Sequence, residues 1–147
     1  MAKDIVIKLR EETGAGVMQC KRALEAAGGD YEKAKEIIAK EGALKAEAKK
    51  GRATGAGFLE TYVHNGRVGV LLELRCETDF VAKADAFKAL AHDIALHIAA
   101  MDPESVEALL GQPFVRDETM TVKDLMNSVV GKVGENIAVA RFARYEL

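Results

Sequence analysis

The stretch FLETYVHNGRVGVLLELRC (58–76) decides the fold. Two apolar-rich runs flank Asn65-Gly66, and Asn-Gly between such runs is a strong hairpin signal, because a type I′ turn needs positive φ at both central positions. In the second run Val68, Val70, Leu72, Leu74 and Cys76 recur with a period of two and share one face. A hairpin of this kind is marginal by itself in water. Its apolar face calls for a helical cover.

That cover is supplied downstream. A helix is predicted from about 80 to 100, with Phe87, Leu90, Ile94 and Ile98 on its stripe, ending before Asp102-Pro103, where Asp can cap and Pro can start a short helix. Thr121-x-x-Asp124 opens another helix, to about 132, and NIAVARFARY (136–145) is rich enough in Ile, Val, Phe and Tyr to form a last strand. Upstream, residues 1 to 42 read as three short helices, about 3 to 12, 17 to 27 and 31 to 41, broken at TGAG (13–16) and GGD (28–30). ALKAEAKKGRATGAG (43–57) favours helix and then dissolves into glycines, as a linker would. The expected fold is α+β: an N-terminal three-helix module with its linker, residues 1–52, and a core of residues 53–147 in which a small antiparallel sheet packs against helices.

Composition bounds the function. The 21 basic and 23 acidic residues give a net charge of −2, with 12 basic and 9 acidic residues in 1–52 against 9 and 14 in the remainder. This asymmetry suggests two units and lacks the dense basic face that nucleic acid requires. The opening MAKDIVIKLREE meets charges too early for a signal peptide and no run is long and apolar enough for a membrane helix, so a cytoplasmic protein is expected. Cys20 and Cys76 stand far apart with no CxxC, which suggests reduced thiols and no zinc site.

No catalytic constellation emerges. Ser105 and Ser128 lack a nucleophile's context, and His92 and His97, five apart, fall on different helix faces. The glycine-rich stretches are not followed by GK[ST], so direct nucleotide binding is not expected. Lys45, Lys49, Lys50 and Arg52 read as a solvated face. Leu9, Val17 and Met18 lie around the TGAG turn, either as core of the small module or as an accessible ridge for a partner. In CETDFVAK (76–83) an acid and a large aromatic meet where strand gives way to helix. Asp79 or Thr78 can cap that helix while Phe80 folds onto the sheet, or Asp79 and Phe80 can project as a paired probe.

The segments LREETGAGVMQCKRAL (9–24), ELRCETDFVAK (73–83), HIAA (97–100), GQPFVRD (111–117) and KVGENIAVARF (132–142), in this order, resemble the elongation factor Ts family of nucleotide exchange factors. The resemblance covers nearly the whole chain. It implies a ubiquitin-associated-like module at residues 1 to about 52 that docks on the GTPase elongation factor Tu, and a core that presents Thr78, Asp79, Phe80 and Val81 to it. By matching positions Asp79 and Phe80 are the intruding pair, and Leu9, Val17 and Met18 lie in the docking surface. An exchange factor of this kind acts by protein binding, with no enzymatic step, cofactor or metal of its own. The chain differs from the family's usual pattern in three ways. Only MDPESVEALL (101–110) separates HIAA from GQPF, where typical members insert a long helical region. Arg75 replaces a usual Asn and Ala140 a frequent Arg. A single core half stands where long members have two, which suggests a homodimer. A binding module that uses the three-helix unit to hold another partner is the rival reading.

Overall fold

The computed structural model describes residues 3–147, so the first two residues of the expected 1–52 unit lie outside the described residues. Helices α1 (Lys3–Thr13), α2 (Val17–Ala26) and α3 (Tyr31–Lys49) come first. The turn between α1 and α2 passes through Gly14 at φ +69°, a conformation that disfavours a side chain. Asp30 begins α3, its carboxylate accepting the Lys33 amide at 3.2 Å. Leu9, Cys20, Ala23, Leu24, Ala34 and Ile38 are buried together between the three helices.

Helix α3 overruns its predicted end near 41. It continues through the Ala and Lys stretch to Lys49, and only residues 50–55 connect it to the next element. The composition of 43–49 favours helix, and Ala46 packs on the larger core. Seven of the fifteen residues that read as a linker, 43–49, are therefore helix.

Strands β1 (Ala56–His64) and β2 (Val68–Cys76) form the expected hairpin, with Asn65 at φ 52° and Gly66 at φ 66°. The Arg67 amide donates to the His64 carbonyl at 3.0 Å across the turn. After four connecting helices and a second small sheet, the last strand returns to pair with the free edge of β2, giving a three-stranded antiparallel sheet in which β2 is central. Val70, Leu72, Leu74 and Cys76 are buried on one face, as their period of two demands.

The helix predicted over 80–100 is two helices: α4 (Asp79–Ala82) and, after a break at Lys83-Ala84, α5 (Asp85–Met101). Phe87, Leu90, Ile94 and Ile98 on α5 are buried against β1 and β2. Asp102 adopts φ 46° and closes α5, whereas the short helix expected at Pro103 starts later: Ser105 accepts from the Ala108 amide at 3.0 Å and begins α6 (Val106–Gly111). The two-stranded sheet of β3 (Pro113–Phe114) and β4 (Asp117–Thr121) has no counterpart in the sequence reading. It is held to α5 by His97, fully buried, whose Nδ1 accepts the Val115 amide at 3.1 Å and whose Nε2 faces the Gln112 side-chain oxygen Oε1 at 2.8 Å.

Thr121 and Asp124 form the predicted capping box of α7 (Val122–Val133), at 3.1 and 2.9 Å. β5 (Ile137–Glu146) follows Gly134. The layers run in order: sheet, α5, α7, α3. At the α3–α7 crossing Gly42 and Gly131 bring the two backbones together, a Cβ on Gly131 lying 3.8 Å from the Gly42 Cα.

Candidate functional site

The corner at 76–83 is built by three elements. β2 delivers the chain at Cys76, buried and hydrogen-bonded through its Sγ to the Thr78 carbonyl at 3.3 Å. Burial pushes this thiol above the usual thiol range. Thr78 takes extended backbone angles and its Oγ1 accepts the Val81 amide at 3.3 Å, so Thr78, not Asp79, caps α4. The third element is the loop after α7. The Glu135 carboxylate accepts the Glu77 and Thr78 amides at 3.1 and 3.0 Å through Oε1, and the Thr78 hydroxyl at 2.7 Å through Oε2.

This bracket fixes the direction of the short helix. Val81 and Ala82 enter the core, while Asp79 and Phe80 face solvent. Phe80 is 86% exposed, which rules out the alternative in which it folds onto the sheet. Val81 corrects the expectation that all four residues of TDFV are presented outward. At 5% exposure it is the anchor that holds α4 to the core, because successive residues of one turn cannot all point the same way.

The residues around the TGAG turn divide likewise. Leu9 is completely buried against Cys20 and Leu24, so it belongs to the small core and not to a surface: it lies on the face of α1 turned towards α2 and α3. Val17 and Met18 are 47% and 62% exposed at the start of α2. Beside them a groove between α1 and α2 is lined by Val6, Ile7 and Val17 together with Lys3, Arg10, Lys21 and Glu11. Its lining combines apolar side chains with three cations and one carboxylate.

Among the described residues no three His, Cys, Asp or Glu side chains are grouped as a metal ion would require, and no helix is long and apolar enough to cross a membrane. Glu135 is the residue that sequence reasoning missed. Its partners lie 57 and 58 positions away, and nothing local to ENI marks an acid that folds back onto a distant corner.

The chain has relatives among known proteins. Residues 77–147 match the family model described as Elongation factor TS. Curated proteins named Elongation factor Ts from Thermotoga petrophila and Thermotoga maritima are each 44% identical, over all of this chain and 96% of theirs. That of Coprothermobacter proteolyticus is 40% identical over all of this chain and 98% of its own.

The chain belongs to the elongation factor Ts family. The alignments extend over 191 to 193 positions against the 147 residues present, so these elongation factor Ts proteins carry residues with no counterpart here. Both the bracketed corner and the groove lie in the part that is shared.

Proposed function

We propose that this chain is a guanine-nucleotide exchange factor that binds the GTPase elongation factor Tu and promotes release of GDP. The observation that carries the reading is Phe80, held almost fully in solvent on a corner that three hydrogen bonds to Glu135 keep in one orientation. A large apolar side chain fixed in water is poised for a partner.

In this reading the chain divides near residue 52. The helical module docks on the GTPase through Val17, Met18 and the groove beside them, while Phe80 wedges between apolar elements next to the nucleotide site. Asp79, at the exposed start of α4, brings a negative charge towards the magnesium and phosphate contacts there. Exchange requires no bond making by this chain. It requires that the complex bind nucleotide more weakly than the free GTPase, and linkage makes the effect mutual: nucleotide expels the factor as strongly as the factor expels nucleotide. The chain uses no cofactor and works in the cytoplasm.

The homodimer belongs to the same proposal. The sheet face turned away from α5 carries Leu59, Val63, Leu71 and Tyr145, between 46% and 81% exposed. Cross-strand pairing sets Leu71 between Thr61 and Ala143, and Gly69 between Val63 and Tyr145, so the apolar side chains form one contiguous patch. At its end Glu73 is held by Arg75 at 2.8 Å and Arg141 at 3.0 Å, and these guanidinium bonds lower its carboxyl below the usual range. A second copy of this chain covers such a patch through a twofold interface.

The test is release of a fluorescent GDP from elongation factor Tu. Acceleration at micromolar concentrations of this chain is expected. No acceleration, with binding to the GTPase retained, would leave the rival reading of a plain binding module, which the groove on α1 and α2 also suits.

A further inference from the structure

The segment from Gly131 to Asn136 meets α3, the turn between α1 and α2, the segment after α3 and the Thr78 corner. Gly131 lies against Gly42 of α3. Lys132 lays its side chain over Gly14, where a Cβ would collide with the Lys132 Cε. Asn136 donates from Nδ2 to the Lys50 and Arg52 carbonyls, at 3.3 and 2.9 Å, and so clasps the segment joining the helical module to β1. Its neighbour Glu135 holds the Thr78 corner.

One dipeptide thus ties the Thr78 corner and the segment that follows the helical module to the end of a single helix. From this arrangement we infer that Glu135 is a positioning residue for nucleotide exchange, fixing the height and direction of Phe80, and that Asn136 sets the helical module relative to it. The inference rests on the proposed exchange activity and goes further: it assigns a role to residues that lie behind the corner. Glu135 has the required chemistry. A carboxylate accepts several bonds at once, and two of its three donors are amides at the start of α4, whose orientation determines that of the helix. With Glu135 gone, those amides turn to water and the corner samples several directions. Phe80 remains present but is aimed wrongly most of the time.

Misaim and loss of affinity separate kinetically. In Glu135→Ala the docking surface on α1 and α2 is untouched, so the concentration of this chain giving half-maximal GDP release from elongation factor Tu should move less than about threefold. The saturated release rate should fall about tenfold or more, since small errors of placement cost large factors. Asn136→Ala should instead raise the half-saturating concentration. Glu135→Gln keeps an acceptor for both amides and should recover the rate to within about threefold of the unaltered chain. Should the alanine variant not fold, Glu135→Asp, which withdraws the carboxylate by one methylene, is expected to show the same division. Hydrogen exchange at the Glu77 and Thr78 amides, measured on this chain alone, should accelerate in Glu135→Ala. The proposal is overturned if those amides stay protected, or if they open and the saturated rate is unchanged. If the unaltered chain stimulates no release, the exchange activity fails and the proposal falls with it; stimulation that Glu135→Ala fully retains removes the positioning role alone.

Discussion

Truncating Phe80 to alanine separates what this side chain does for folding from what it does for a partner. A core phenylalanine such as Phe87, with no exposed surface, costs about 3 to 5 kcal/mol when cut to alanine. Phe80 is 86% exposed, so in proportion its truncation should cost about 0.4 to 0.7 kcal/mol, and the better helix propensity of alanine offsets part of that. For a chain of this size the melting temperature should move by about 2 °C or less, whereas Phe87→Ala should lower it by roughly 6 °C or more. The complex reverses the order. A ring that buries about 150 Å² on a partner gains up to about 4 kcal/mol from area alone, and truncations at such anchors commonly cost 2 kcal/mol or more. A loss of about 2.7 kcal/mol in the transition state for release is a hundredfold in rate. Thermal melts and stopped-flow release of fluorescent GDP from elongation factor Tu read the two quantities separately. The reasoning is refuted if Phe80→Ala melts like Phe87→Ala, or if it melts normally and releases GDP at the unaltered rate.

Three further outcomes are expected. Leu9→Ala should destabilise the helical module by about 2 to 5 kcal/mol, whereas Met18→Ala should leave its melting unchanged and weaken docking on the GTPase, as titration calorimetry can measure. Burial holds the His97 imidazole below its ordinary value of 6.5. Because the unfolded chain takes up the proton first, stability should be complete above pH 6.5 and fall as the pH drops below it, by at most about 1.4 kcal/mol per pH unit, and a His97→Gln variant followed by denaturant titration should lack that slope. Leu71→Asp places a charge in the middle of the open sheet face, so light scattering should give the 15.9 kDa monomer for the variant and twice that mass for the unaltered chain.

The parts of the fold that local chemistry writes were legible. The Asn65-Gly66 turn, the Thr121 and Asp124 capping box and the period of two along β2 each rest on residues within a few positions of one another. The Ala and Lys composition of 43–49 favoured helix, but the packing of α3 on α7 was not legible, because Gly42 and Gly131 at the crossing leave no apolar period to read. Helix α4 merged with α5 in the sequence because a two-residue break at Lys83-Ala84 carries no proline or glycine. β4, reading DETMT, lacks any apolar alternation. At the candidate site, pattern could not decide whether Leu9, Val17 and Met18 were inside or outside, since one turn of a short helix separates the two environments. Nor could it find Glu135, whose partners are distant in the chain.

The central position of β2 has a mechanical consequence. Its nine residues are paired on one side with β1 and on the other with β5, and its last residue, Cys76, lies two positions before the cap of α4. A force applied to Phe80 along the strand therefore meets two ladders loaded in shear, with many hydrogen bonds bearing together, where an edge strand would peel open one bond at a time. The corner is mounted on the one strand of this sheet that is paired on both sides, so a push on it is shared between two ladders.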